Sequence, residues 1–159
     1  MTLKIANSQI EMIVFDFDGV MTDNRVITFS DGREAVICSR SDGYGIALLK
    51  KEGFKMLVVS SETNSVVSER CKKLGINCQQ AVIDKGKFLE QEAFTKGFTL
   101  DNIIFVGNDL NDLPAMELVG FSVCVADSHP EILKTADLVL KSKGGDGAVR
   151  EFADLILRN

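Results

Sequence analysis

Apolar runs rich in β-branched residues alternate along this chain with stretches of helical periodicity. The first run, Ile13-Val14-Phe15, reads as a buried strand and leads into Asp16-Phe17-Asp18-Gly19. From Asn24 to Arg40, two β-like runs flank Ser30-Asp31-Gly32-Arg33, which predicts a hairpin. Ser41-Asp42-Gly43 predicts a helix start, with Ile46, Leu48 and Leu49 as its apolar face and Gly53 as its stop. Phe54 to Val59 predicts a strand with the polar exit Ser60-Ser61-Glu62-Thr63-Asn64. Val66, Val67, Cys71 and Leu74 space as a helix that ends at Gly75, and Ile76 to Val82 predicts a short strand. A helix from Asp84-Lys85 to Gly97 follows, then a strand from Ile103 to Val106 that runs into Gly107-Asn108-Asp109-Leu110-Asn111-Asp112. A short helix through Met116 and Leu118, a strand from Phe121 to Val125, a helix opened by His129-Pro130 and a strand from Leu138 to Leu140 come next. Gly144-Gly145-Asp146-Gly147 precedes a final helix, Ala148 to Leu157.

Strands alternating with helices predict an α/β fold: a doubly wound, Rossmann-like parallel sheet with helices on both faces. The hairpin protrudes from it. The intervals from Asp18 to Ser60 and from Lys85 to Gly107 are too short for a cap domain, so 1–159 reads as a single domain. In a parallel sheet the polar strand ends share one rim, which is where ligands bind in open α/β sheets. Strand alternation lets Asp16 and Asp18 project the same way at that rim.

Charge and composition narrow the function. The chain carries a formal net charge of −5, from 18 basic against 23 acidic residues, which argues against a nucleic-acid partner. No apolar stretch is long enough to span a bilayer, so no membrane association is expected. Met1 to Ile10 lacks a signal-peptide pattern. Cys38, Cys71, Cys78 and Cys124 form no CxxC pair and read as free thiols of a reducing cytoplasm.

Two carboxylates at a buried strand end are costly unless a cation or hydrogen bonds hold them. They fit a Mg²⁺ site in which Asp16 is the nucleophile and Asp18 the acid/base. The plainer alternative is a strand end with two solvated aspartates. Ser60, Lys85 and the acidic cluster after Val106 complete what phosphoryl transfer needs, because cations must offset the charge of an incoming phosphate monoester. Taken singly, Ser60 is an ordinary cap, Lys85 an ordinary helix-start lysine and His129 a helix-start residue. Gly144 to Gly147 reads either as a flexible loop or as an anion nest of backbone N–H groups. Gly43-Tyr44-Gly45 is no dinucleotide fingerprint, since Leu48 takes the third glycine position. Arg40 and Arg150 are the cations expected to meet a substrate carboxylate.

Asp16-Phe17-Asp18-Gly19-Val20, Ser60, Lys85 and Gly107-Asn108-Asp109-Leu110-Asn111-Asp112 resemble, in order, the four motifs of the haloacid dehalogenase superfamily. Gly19-Val20-Met21-Thr22-Asp23, Asp42-Gly43-Tyr44-Gly45-Ile46, Ala126-Asp127-Ser128-His129-Pro130 and Gly144 to Glu151 resemble its capless phosphatases of 3-deoxy-2-keto sugar acids. The chain is also similar to the phosphatase-like domain attached to some acylneuraminate cytidylyltransferases. The resemblance implies Asp16 as nucleophile, Asp18 as acid/base, and Ser60, Ser61 and Lys85 as phosphate ligands. It implies Mg²⁺ held by the Asp16 carboxylate, the Asp18 backbone carbonyl and Asn108, with Asp109 or Asp112 in support. It implies a homotetramer assembled through the hairpin.

Two positions depart from that pattern. Asn108 stands where an aspartate is usual, so one negative charge is lost at the metal. Ser60-Ser61-Glu62 stands where the octulosonate phosphatases carry Ser-Gly-Arg. Glu62 can accept hydrogen bonds from a longer sugar acid, which favours a nonulosonate 9-phosphate over octulosonate 8-phosphate. Dehalogenation is disfavoured, because halide leaves without the proton Asp18 would supply. The non-enzymatic alternative is an assembly or regulatory domain associated with an acylneuraminate cytidylyltransferase, with Asn108 as its support.

Overall fold

The computed structural model describes residues 6–158. The reading of the N-terminus rests in part on residues 1–5, which lie outside the described residues.

Six strands form one parallel sheet: β1 (Met12–Phe15), β4 (Met56–Val59), β5 (Asn77–Gln79), β6 (Ile103–Gly107), β7 (Phe121–Cys124) and β8 (Leu138–Val139). The strands β2 (Ile27–Thr28) and β3 (Glu34–Ala35) make a separate antiparallel hairpin. The order across the sheet is β5-β4-β1-β6-β7-β8. The chain winds outward from β1 to one edge and returns through β6, so the order reverses between β1 and β6. The crevice beyond the carboxyl ends of these two strands is the switch point where such folds bind ligands.

Both faces of β1 are covered, and its alternation feeds two cores. Ile13 and Phe15 pack with Ile46 and Leu49 of α1 (Arg40–Lys51), Val67 and Cys71 of α2 (Ser65–Leu74), and Val149, Phe152 and Ile156 of α6 (Ala148–Leu157). Met12 and Val14 face Leu89 of α3 (Lys85–Lys96), Ala115 and Met116 of α4 (Leu113–Leu118), and Ile132 of α5 (Pro130–Thr135). Phe15 meets Phe152 edge-to-face at 5.8 Å between ring centroids. Burying each such ring contributes on the order of 1.5–3 kcal/mol.

The expected architecture is present, with local differences that have physical causes. The first long helix begins at Arg40, because the Ser39 hydroxyl accepts from the Ser41 N–H and caps it two residues before the expected Ser41. The predicted strand Ile76 to Val82 shortens to Asn77–Gln79. Beyond Gln79 the chain leaves the sheet edge, Ala81 takes a positive φ of 58°, and the N–H groups of Ala81 and Val82 donate to the carbonyls of Glu62 and Ser60. The segment is thereby tied down over the loop that carries Ser60. The final helix, the Asp84 cap and the His129 cap fall where the sequence places them.

Candidate active site

Asp16 extends β1 by one residue, its N–H donating to the Val106 carbonyl at 2.9 Å. Its side chain is buried. Lys85 is the first residue of α3 and is fully buried, an unusual position for an ammonium. Its Nζ donates to Asp16 Oδ1 and to Asp112 Oδ1, both at 2.6 Å. Burial alone would pull the Lys85 pKa down, but the two carboxylates outweigh it and leave the group above its ordinary value. Asp16 moves the other way for a carboxylate: burial, then the charge of Asp112, push it up to about 7 against the partial relief of Lys85. Two buried carboxylates share one ammonium, so the group is short of positive charge.

Asp112 also organises the loop after β6. Its Oδ2 accepts the N–H groups of Asn108 at 2.8 Å and Asp109 at 3.2 Å. With both oxygens engaged, Asp112 holds the cluster together and is not free to replace Asn108 as a metal ligand. Asp109 is exposed at the rim, and its Oδ1 accepts the Leu110 N–H.

The Asn108 carboxamide is where a metal site would form. One of its two polar atoms lies 3.1 Å from Asp16 Oδ2 and 3.0 Å from the Asp18 carbonyl oxygen. Turned nitrogen-first, the amide donates a hydrogen bond to each. Turned oxygen-first, three oxygens converge, and only a cation can hold them there. Cis ligands of Mg²⁺ at about 2.0–2.1 Å lie about 2.9 Å apart, so the separations suit that ion. Gly19 makes the approach possible: its φ is +86°, and a Cβ there would fall 2.1 Å from Asn108 Nδ2. Among the described residues no cluster of three or more His, Cys, Asp or Glu side chains suits a metal. This cradle contains one carboxylate, one amide and one backbone carbonyl.

Asp18 is half-buried, and its Oδ1 accepts from the Thr22 hydroxyl at 3.3 Å. Burial raises its pKa, with Thr22 opposing, which favours a protonated carboxyl. Thr22 Oγ1 also accepts the N–H groups of Gly19 at 3.1 Å and Asn24 at 3.2 Å. One buried hydroxyl thus fixes the turn that carries Asp18.

A cleft of about 290 Å³ opens over this rim. Asp16, Asp18 and Asn108 lie at its base, Ser60, Ser61, Glu62 and Asn64 on one side, and Asn24, Arg25, Val26 and Glu34 of the hairpin arm on another. Ser60 is buried, and its Oγ accepts the Glu62 N–H at 3.0 Å. Asn64 Nδ2 donates to Glu34 Oε2 at 2.9 Å, which ties the hairpin to the cap of α2. The cleft therefore gathers Asp16, Asp18, Ser60, Ser61, Glu62, Asn108 and Asp109, with Lys85 and Asp112 packed behind Asp16.

Arg40 and Arg150 do not belong to it. Arg40 is exposed on the first turn of α1. Arg150 Nε donates to Asp154 at 2.9 Å, and its guanidinium lies over the Tyr44 ring at 4.8 Å. Neither lines the cleft of this chain. The glycine-rich segment is neither a loose loop nor an anion nest. Gly144 N donates to Asp127 Oδ1, Gly145 N to the Val20 carbonyl and Asp146 N to the Lys143 carbonyl. Asp42 Oδ1 accepts the Arg150 N–H at 2.9 Å, which ties the start of α6 to α1. A Cβ at Gly144 would fall 1.9 Å from the Gly19 carbonyl oxygen, so the segment braces the turn after Asp18 backbone to backbone. Sequence reasoning missed Arg25, Glu34 and Asn64 at the cleft. The one signal for them was position, on the arm that follows Asp23 and beside the Ser60 loop.

A model of the haloacid dehalogenase-like hydrolase family matches residues 61–152. The chain is 35% identical over 153 residues to the 3-deoxy-D-manno-octulosonate 8-phosphate phosphatase KdsC of Escherichia coli K12, covering 93% of this chain and 79% of that protein. The chain belongs to the haloacid dehalogenase-like hydrolase family. Among solved structures, this hydrolase superposes on a HAD family hydrolase from Streptomyces avermitilis with a TM-score of 0.92 at 44% identity, over 96% of this chain and 94% of that one. It superposes on the Moraxella catarrhalis 3-deoxy-D-manno-octulosonate 8-phosphate phosphatase, solved with magnesium, phosphate and KDO, with a TM-score of 0.91 at 31% identity, over 96% and 88% of the two chains. No described helix of this hydrolase is long and apolar enough to cross a membrane.

Proposed function

We propose that this hydrolase is a Mg²⁺-dependent phosphatase acting on the phosphate monoester of a 3-deoxy-2-keto sugar acid, as a cytoplasmic homotetramer. The reading rests on one observation above all: Asp16, buried at the end of β1, is held by Lys85 beside the oxygen cradle of Asn108 and the Asp18 carbonyl. Mg²⁺ bound in that cradle supplies the positive charge that Lys85 alone cannot give to two carboxylates and a phosphate. Lys85 fixes Asp16 in place, and a cation in the cradle would complete the charge that keeps it ionised for attack on phosphorus; an aspartyl-phosphate forms as the sugar oxygen leaves. Asp18, its pKa raised by burial, donates the proton that the leaving oxygen takes. As a carboxylate, Asp18 then draws a proton from the water that attacks phosphorus; the bond from phosphorus to the Asp16 oxygen breaks, phosphate leaves and the Asp16 carboxylate is restored. Ser60 and Ser61 line the cleft where they can donate to the phosphate oxygens.

Glu62 on the cleft wall supports a substrate rich in hydroxyl or amide donors, and hence nonulosonate 9-phosphate over octulosonate 8-phosphate. The relatives named for the octulosonate substrate pull the other way, so both belong in the assay. Magnesium-dependent hydrolysis of para-nitrophenyl phosphate, followed by both sugar-acid phosphates, tests the reading. Turnover on one of the sugar acids supports it. No turnover on any of the three contradicts it and favours a non-catalytic domain.

A further inference from the structure

The cleft has an uneven charge pattern that the phosphate chemistry does not use. Among the described residues that line it, the titratable side chains other than Arg25 are carboxylates: Asp16, Asp18, Glu34, Glu62 and Asp109. Lys85 lies behind Asp16 and is committed to two aspartates. A substrate with an anion remote from its phosphate finds one cationic side chain among the described residues lining this cleft, Arg25, set among five carboxylates and neutral residues.

Arg25 is also held ready. Asp23 Oδ2 accepts from its Nε at 2.9 Å and from its Nη2 at 2.6 Å. Asp23 Oδ1 accepts the Arg25 backbone N–H at 3.2 Å, which locks the carboxylate to the same residue. A guanidinium carries more N–H donors than one carboxylate oxygen can accept, so its outer edge stays available. That edge is open, because the side chain is 82% exposed. The fork suits a second, planar carboxylate better than it suits a hydroxyl.

We propose that Arg25 is the specificity-determining residue for the substrate's carboxylate, at the hairpin wall of the cleft. The inference rests on the phosphatase reading above and names the subsite that reading lacked once Arg40 and Arg150 fell outside the cleft. Arg25 selects monoesters that carry a carboxylate over those that do not. The arm that bears it follows directly from Asp23, so the distance between the nucleophile and this cation is set by the catalytic turn itself.

Steady-state kinetics of the wild type, Arg25→Gln and Arg25→Lys, on octulosonate 8-phosphate and on para-nitrophenyl phosphate with Mg²⁺, test the proposal. The readout is the ratio of kcat/KM values, sugar acid over aryl phosphate. Arg25→Gln should lower that ratio by about threefold to tenfold, the range for one partly exposed charge-assisted pair. The change should fall mainly on KM for the sugar acid, and Arg25→Lys should recover part of it. An unchanged ratio in Arg25→Gln, with the aryl phosphate still hydrolysed, overturns the role of Arg25 and leaves the phosphatase standing. A wild type that hydrolyses neither compound overturns the phosphatase reading and this inference with it.

Discussion

The catalytic rim and the hairpin are built on opposite terms. At the rim, Asp16, Lys85 and Asp112 are buried, each polar atom is aimed by a strand end or helix start, and both cores lie beneath them. The hairpin has strands of two residues each, and Val26, Ile27, Phe29 and Ile37 stand more than 45% exposed. It touches the body through Asn64 and Glu34 and through an isolated bridge from Thr22 to Cys38. The difference separates two duties. Reaction chemistry needs groups fixed to fractions of an ångström and sits on the stiffest part of the sheet. Substrate reading, as proposed for Arg25, tolerates a lighter scaffold, and the arm's exposed apolar side chains are what the proposed assembly would cover.

Removing the nucleophile gives the largest expected effect. Asp16→Asn keeps the shape and can still accept from Lys85, so the fold should persist while turnover falls by on the order of 10⁴-fold or more. Wild-type-like phosphate release would move the nucleophile elsewhere.

The buried ammonium comes next. Lys85→Met leaves Asp16 and Asp112 facing each other with no cation, and should destabilise the fold by about 3–5 kcal/mol in denaturant unfolding. Substituting Arg25, whose side chain stands open to solvent on the arm, should cost far less in the same assay. Equal losses would erase the contrast between rim and arm.

The metal cradle can be tested through pH. The Asp16 pKa stands at about 7 in the fold against 3.8 for the free side chain. The folded state therefore holds that proton more tightly than the unfolded state does. Its contribution to stability is full below 3.8 and is lost as pH rises toward about 7. Metal-free protein should show a falling thermal midpoint across that window, and Mg²⁺ should flatten or reverse the slope. Asn108→Asp adds a charge to the cradle and removes the amide that can fill it nitrogen-first. It should lower the Mg²⁺ concentration for half-maximal thermal stabilisation by about tenfold. No shift would take Asn108 away from the metal.

The hairpin should give the smallest effect on the fold and a plain one on assembly. Ile27→Ser combined with Ile37→Ser should change the unfolding free energy of the separate chain by no more than about 0.5 kcal/mol per site. Light scattering should show the mass drop from a tetramer to smaller species. A wild type that is monomeric at micromolar concentration would refute the proposed assembly.

Much of the rim could be read from the sequence because its signals are local. The run into Asp16, the cap at Asp84 and the glycine stops at Gly75 and Gly97 each lie beside the residues they control. The parts that stayed hidden depend on distant partners. Asp42 holds the start of α6 across 108 residues, and nothing near it in sequence announces that. Lys85 looks like an exposed lysine until α4 brings Asp112 against it. Arg150 looks like a free cation until Asp154 and Tyr44 occupy it. Arg25 looks like a turn residue until the hairpin folds its arm along the cleft.

The central claim is that Asp16 is the atom donor to phosphorus, and beryllium fluoride tests it without waiting for turnover. This reagent adds to a reactive aspartate and mimics an aspartyl-phosphate. Fluorine NMR of the wild type with beryllium fluoride and Mg²⁺ should show bound resonances that vanish when Mg²⁺ is chelated and are absent from Asp16→Asn. Bound resonances that survive in Asp16→Asn, or none in a wild type that hydrolyses phosphate esters, would contradict the account.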